Sequence, residues 1–279
     1  MASAHRFGGE AGREDFVPIR GWHRGETKPL LEALAPFRDS IEDVLEYAHD
    51  ALDSAERYLR RHGGRDPHGL NLEQIAAIRL YTKENIANPE QSFFRVLNRT
   101  LNSEYAPNPV GPQSPQLTTR RRRDRRLVLP FFDYLKLFIE GARLLPNACP
   151  QMLWRAFPNL DARWAELYPK GRELFWWAFS SCTKNSQVLE SADFFGPGGE
   201  RTLFMLSCVS GIDISAYSDY PEDEVLLMPG STFVVEQTMA PHMLGGALRR
   251  VPRTATAKLS SSPSSHISGW AVDRAGLGR

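Results

Sequence analysis

Three short stretches in the second half of this 279-residue chain carry side chains able to do polar chemistry. The acidic triplet Glu222-Asp223-Glu224 runs directly into the apolar stretch Val225-Leu226-Leu227-Met228. In an extended strand, residues two apart share a face, so Glu222 and Glu224 present two carboxylates side by side, with Asp223 turned away. Like charges that close raise each other's proton affinity, which is costly for a fold to keep; an acidic turn that merely precedes a strand is the plainer reading. Arg155 interrupts the apolar run Met152-Leu153-Trp154-Arg155-Ala156-Phe157. A guanidinium there needs a partner, either a structural carboxylate or a bound phosphate or carboxylate that its planar fork fits. Phe179-Ser180-Ser181-Cys182-Thr183 places small hydroxyls at the end of the strand that holds Trp176 and Trp177. Such hydroxyls either satisfy local backbone or hold a catalytic side chain.

Together these groups suit one kind of reaction. Paired carboxylates serve chemistry that passes through an oxocarbenium ion, the transition state of glycosyl transfer. Cleavage of the nicotinamide–ribose bond of NAD is such a reaction. It needs a carboxylate to steady the positive ribose, a cation for the pyrophosphate and a base for the incoming nucleophile. Arg155, Ser181, Glu222 and Glu224 supply that inventory from separate segments.

The elements that must position them fall into two halves. In the first, apolar residues recur at helical spacing. Phe37, Ile41, Val44, Leu45, Ala48, Leu52, Ala55 and Leu59 predict one long helix, closed by Gly63-Gly64. Asn71 caps a second helix with Leu72, Ile75, Ile78 and Tyr81, and Asn88-Pro89 opens a third with Phe93, Phe94, Leu97 and Leu101. Prolines then forbid regular structure, and residues 120–126 hold six arginines in seven. Phe132, Leu135, Phe138, Ile139 and Ala142 restore the helical pattern. The second half is a series of short aromatic or β-branched runs over residues 152–157, 174–182, 202–209, 212–217, 225–228 and 232–236. Pro229-Gly230 predicts a tight turn joining the last two as a hairpin. The fold class expected is therefore α+β, with helices first and a β-rich half after. The expected organisation is a disordered segment over 1–28, one domain over 29–240 (helical lobe 29–147 with an arginine-rich loop at 104–127, catalytic core 150–240), and a serine-rich disordered tail over 241–279.

Composition narrows the partners. A formal net charge of +1 gives no global pull toward nucleic acid or membrane. The arginine run could contact phosphates, which makes a nucleic-acid-binding protein the alternative of another class, but no aromatic platform interleaves it. No stretch approaches the ~18 apolar residues of a membrane span, and no apolar leader is visible near Met1. The expectation is a cytoplasmic monomer, export by a leaderless route aside. Cys149, Cys182 and Cys208 form neither a disulfide framework nor a CxxC metal site.

In their order and flanking strands these motifs resemble the arginine-specific mono-ADP-ribosyltransferases of the Arg-Ser-Glu class. Trp154-Arg155-Ala156 is similar to that family's aromatic-Arg-Gly strand, Phe179-Ser180-Ser181-Cys182-Thr183 to its aromatic-x-Ser-x-Ser strand, and Glu222-Asp223-Glu224-Val225-Leu226-Leu227 to its Glu-x-Glu strand. Phe194-Phe195-Gly196 resembles the segment before the nicotinamide-side loop, and Leu80-Tyr81-Thr82 with Leu97-Asn98 resembles the helical part before the core. Alanine at 156 and cysteine at 182 depart from the pattern, and the family's apolar closing strand is not evident after Gln237. The resemblance implies a two-sheet core with a central cleft for NAD, or NADP, as co-substrate, and no metal. It implies that Arg155 contacts phosphate and ribose, that Ser181 orients Glu224, that Glu224 stabilises the oxocarbenium ion, and that Phe195 lines the NAD site. It implies that Glu222 positions or deprotonates the acceptor guanidinium, and that Tyr217 and Tyr220 touch a protein acceptor with an exposed arginine. An NAD glycohydrolase, with water as acceptor, uses the same residues.

Overall fold

The computed structural model describes residues 19, 21–105, 125–149, 151–158, 168–185, 201–218, 223–239 and 254–261. Residues 1–18, most of the arginine-rich loop, and the tail beyond Ser261 lie outside them.

Among the described residues the first half is helical: α1 (Leu30–Ala33), α2 (Val44–Arg61), α3 (Leu72–Thr82), α4 (Phe93–Tyr105) and α5 (Phe132–Ala142). The long helix expected from Phe37 starts only at Val44. Asp43 sits in the left-handed region at φ 56° and breaks the run, leaving Phe37 in a 3-10 turn, although Phe37 and Ile41 are still buried. Val44, Ala48, Ala51, Ala55 and Tyr58 form the inward stripe of α2, and its alanines let the neighbouring backbone come close. Gly63 and Gly64 end the helix at positive φ, as the sequence predicts. The Asn71 cap is a full capping box: the Gln74 amide donates to Asn71 Oδ1 at 2.9 Å, and the Asn71 amide donates to Gln74 Oε1 at 3.1 Å. α3 is buried from Ile75 to Thr82 and is the central helix. Pro89 opens only a 3-10 turn, and α4 follows it. Aromatic rings knit the helices together: Phe93 meets Tyr134 at 4.5 Å, Tyr81 meets Phe138 at 5.3 Å, and Phe138 meets Phe179, at the threshold of the sheet, at 5.3 Å.

The expected disordered start at 1–28 is too long. Ile19 is fully buried, Trp22 lies under the Arg143 guanidinium at 5.5 Å, and the buried Lys136 ammonium donates to the carbonyls of His23 and Gly25. The buried lysine needs those acceptors, and they tie the segment down.

The second half comprises β1 (Gln151–Pro158), β2 (Glu173–Trp176), β3 (Ser180–Thr183), β4 (Arg201–Cys208), β5 (Ile212–Asp213), β6 (Glu224–Leu227), β7 (Ser231–Met239) and β8 (Thr254–Ser261). Their hydrogen-bonded order is β2-β7-β8-β4-β1-β3-β6-β5. The ladder is continuous in name but parts in the middle: β1 pairs with β4 along eight residues and with β3 only at Trp154↔Thr183. The five strands on one side and the three on the other thus act as two sheets. Leu153, Phe204 and Leu206, Phe233 and Val235, and Cys182, Val225 and Leu227 come from both sides yet fill one core. A second, larger core lies between the helices and the other face of the β3–β6 side, where Leu226 packs.

Three further expectations are corrected. The run at 174–182 splits into β2 and β3, which belong to different sides of the sheet. Pro229-Gly230 does turn the chain, with Gly230 at φ 87°, but the Gly230 amide donates to the Trp176 carbonyl, and β6 and β7 diverge to opposite ends instead of pairing as a hairpin. The domain does not end at residue 240. β8, within the expected tail, closes the sheet between β4, in parallel, and β7, antiparallel. Without it the long ladders of β4 and β7 would each lose a neighbour, and that backbone demand outweighs the weak patterning of Thr254–Ser261.

Candidate active site

The site lies where β1 and β3 part. The Arg155 Nη1 donates to the Ser181 carbonyl at 2.7 Å, in the gap left by the missing ladder, and its guanidinium lies 5.8 Å from the Trp176 ring centre. The alternation that carries Arg155 opposite Phe204 thus turns a charged side chain into the bridge between the two sides of the sheet. Register places Ser181 opposite Leu226 and Thr183 opposite Glu224. Ser181 and Glu224 therefore share one face of the β3–β6 pair, the face turned toward the helices. Both are half-buried.

From the helical side, Tyr81 of α3 meets them. The Asn98 amide of α4 donates to the Tyr81 hydroxyl at 3.0 Å, while the Asn98 Oδ1 accepts from the Phe179 amide at 3.1 Å. One asparagine thereby fixes a helix tyrosine and the entry to β3 together. Burial pushes the Tyr81 phenol up and the Glu224 charge adds to that, while the Asn98 hydrogen bond, the Arg155 charge and the nearby Ser181 oppose it. The ring is a neutral hydrogen-bonding wall, touched electrostatically by all three predicted groups. Next to Ser181, burial pushes the Cys182 thiol up to about 12, despite the Arg155 charge beside it, so cysteine in place of the hydroxyl pattern adds no nucleophile. Cys149, half-buried, accepts the company of Cys208: their shared thiol hydrogen bond lowers the one and raises the other.

The structure thus brings together Arg155, Ser181 and Glu224 out of the predicted set. Glu222, Phe195 and Tyr220 lie outside the described residues. Tyr217, expected to face an acceptor, does not do so. Its ring is 1% exposed, in the helical core, and its hydroxyl donates to Asp66 Oδ1 at 2.7 Å. Burying an aromatic ring gains more than exposing it, provided the hydroxyl finds an acceptor. As working parts of the site, Asn98 and Trp176 were missed by sequence reasoning: Asn98 looks like one polar position on an amphipathic helix and Trp176 like strand apolar filler. Tyr81 sat on a helix buried all round, and nothing in its spacing separates a site wall from core.

A carboxylate on the same strand face as a serine hydroxyl, with a guanidinium at the gap between the two sides of the sheet, can steady a sugar cation and hold a phosphate. Among the described residues no group of three His, Cys, Asp or Glu comes together as a metal site, and no helix is long and apolar enough to cross a membrane.

No family model and no curated protein sequence matches the chain. Solved structures do. The type III effector XopAI from Xanthomonas axonopodis pv. citri aligns with a TM-score of 0.54 at 16% identity, covering 90% of each chain. The ADP-ribosyltransferase HopU1 of Pseudomonas syringae pv. Tomato DC3000 aligns over 93% of this chain and 100% of its own at 18% identity, with a TM-score of 0.46. Exoenzyme S from Pseudomonas aeruginosa, solved with human 14-3-3 protein beta and carba-NAD, aligns over 86% of this chain and 90% of its own at 19% identity, with a TM-score of 0.47. The likeness to XopAI is one of fold alone, an α+β arrangement of helices followed by sheet.

Proposed function

We propose that this protein cleaves NAD, or NADP, at the nicotinamide–ribose bond and transfers the ADP-ribose to an arginine side chain of a protein acceptor. The observation that carries this reading is the meeting of Arg155, Ser181 and Glu224, from three strands, against Tyr81 at the gap between the two sides of the sheet.

In this reading Arg155 holds the pyrophosphate and the neighbouring ribose. Its position is already fixed by the Ser181 carbonyl and Trp176, so little ordering is left to do on binding. Ser181 keeps Glu224 in place, and the Glu224 carboxylate faces the ribose, where positive charge develops as the C1′–nitrogen bond breaks and nicotinamide leaves with the bonding pair. The new C1′–nitrogen bond forms to the acceptor guanidinium, whose proton passes to a base. Glu222, two residues before Glu224, is assigned that task. Tyr220 is assigned to the acceptor surface and Phe195 to the nicotinamide side. The NAD step needs no metal in this scheme, because Glu224 and Arg155 supply charges of the required signs.

Nicotinamide release from NAD, with and without agmatine as a free guanidinium acceptor, tests the proposal. The native chain forms ADP-ribosyl-agmatine. Glu224→Ala loses about three orders of magnitude, the scale of removing a preorganised transition-state contact. Glu222→Gln still hydrolyses NAD but stops modifying agmatine. A native chain that hydrolyses NAD and ignores agmatine replaces the arginine acceptor with water; a native chain that releases no nicotinamide overturns the reading.

A further inference from the structure

Glu224 is the first residue of β6, so it stands at an end of the ladder, where strands fray first. Its backbone is nevertheless held from both sides. On the β3 side it is paired with Thr183, and the Lys184 amide donates to the Asp223 carbonyl at 3.3 Å. On the β5 side the Ile214 amide donates to the Glu224 carbonyl at 3.1 Å. The flanking strands end here as well, β3 at Thr183 and β5 at Asp213. Three strand ends therefore meet at the residue assigned to the ribose.

A side-chain bridge closes this end of the sheet. Lys184, directly after β3, pairs its ammonium with Asp213 Oδ2. β6 lies between β3 and β5, so the pair spans the strand that bears Glu224. Asp213 Oδ1 accepts from the Ser215 amide at 3.0 Å and from the Ser215 hydroxyl at 2.6 Å. These bonds turn the chain directly after β5 and fix the Ile214 amide that meets the Glu224 carbonyl. The Ser215 hydroxyl has one proton to give and the shorter contact takes it, while the Glu224 carbonyl lies 3.3 Å from the same oxygen. Asp213 stands opposite Val225, one residue from Glu224, so its side chain leaves the sheet on the face away from the Glu224 side chain. The bridge thus acts on the strand from behind the carboxylate. The Lys184 and Asp213 side chains are 29% and 30% exposed, so solvent ions screen the pair less than one on an open surface. Burial acts to raise the Asp213 carboxyl, and the hydrogen bonds from Lys184 and Ser215 outweigh it, holding Asp213 below the usual carboxylate range.

We infer that Lys184 and Asp213 form a positioning clasp for Glu224: by bridging β3 to β5 across β6, they hold the strand end on which the ribose-facing carboxylate is mounted. This rests on the reading of Glu224 as the group that steadies the ribose in NAD cleavage, and it concerns that step whichever acceptor follows. Both residues act through backbone, so they are positioning residues. A pair that only stabilised the fold would lower the unfolding midpoint and leave turnover of the folded enzyme alone. A clasp on Glu224 acts instead on a contact made in the transition state, so its loss lowers kcat and leaves KM for NAD nearly unchanged.

The test uses the full chain as Lys184→Met, Asp213→Asn, the double variant and Lys184→Arg. Nicotinamide release at saturating NAD falls about tenfold in each of the first two, because a carboxylate displaced by a fraction of an ångström loses much of its hold on the transition state. KM for NAD stays within about twofold. The double variant is no slower than either single one, since both remove the same bridge. Lys184→Arg keeps the charge and recovers most of the lost rate. Hydrogen exchange of the Ile214 amide, which donates to the Glu224 carbonyl, is faster in Lys184→Met and in Asp213→Asn. An unchanged kcat in both single variants, or losses that add in the double variant, overturns the inference. If the native chain releases no nicotinamide, the cleavage reading fails by itself, and exchange decides the clasp: unchanged protection of the Ile214 amide in Lys184→Met removes it.

Discussion

The two hydrophobic cores hold the two sides of the site by different means. The helical core is a net of rings: Phe37, Phe93, Phe131, Tyr134, Phe138, Tyr81 and Phe179 pass contacts from one helix to the next and on to β3. A side chain on that wall, such as Tyr81, is placed by ring packing, with one hydrogen bond from Asn98 fixing its hydroxyl. The sheet core mixes aliphatic Leu153, Leu206, Val225, Leu227 and Val235 with two thiols and a smaller set of rings, Tyr168, Phe204 and Phe233. Arg155, rising from that side into the gap, cannot be packed into place without desolvating its charge, so a carbonyl and an indole face hold it. The lesson is that one site is built on two kinds of rigidity, close packing on the helical side and directed polar contacts on the other.

The comparison predicts where each side breaks. The largest effect belongs to the ring net. Phe138→Ala removes a fully buried ring shared by Tyr81, Tyr134 and Phe179, and destabilises the chain by about 3–5 kcal/mol in denaturant unfolding. If the loss is below 1 kcal/mol on the same scale, the rings do not form one net. Tyr81→Phe separates packing from polarity. It keeps the ring but removes the hydroxyl that meets Asn98 and Ser181, so NAD cleavage falls about tenfold while stability drops by only about 1 kcal/mol. Equal losses in Tyr81→Phe and Tyr81→Leu activity would show that the ring does everything and the hydroxyl nothing. Asn71→Ala, far from the gap, removes the α3 cap and costs about 1 kcal/mol with NAD cleavage unchanged, since the helix is held along its whole buried length.

Much of the helical half was legible because its signals are local. The Asn71 cap, the glycine stop after α2 and the spacing of α5 each depend on residues close together in sequence. The start of α2 was misplaced because the spacing of Phe37 and Ile41 continues the helical period across a left-handed Asp43, and period alone does not report a break in backbone angle. In the β half the strands were legible and their partners were not. Pro229-Gly230 has the residues of a hairpin turn, yet the turn serves a crossover, because pairing is decided by which ladders remain open once the sheet is assembled. The same requirement recruits Thr254–Ser261 as β8 from a stretch with little hydrophobic pattern.

Residue type and strand alternation by themselves determined that this chain carries a guanidinium, a serine and a carboxylate in three separate stretches of the β-rich half, and that the fold is helices followed by sheet. Only the tertiary structure decided that the three converge, because that rests on β1 and β3 parting after one pair, a matter of long-range ladder competition that no local spacing encodes. It also decided the fate of Tyr217. In sequence it is one of two tyrosines before the acidic triplet; in the fold a carboxylate 151 residues away offers its hydroxyl an acceptor inside the core, and a buried ring with a satisfied hydroxyl is lower in free energy than an exposed one.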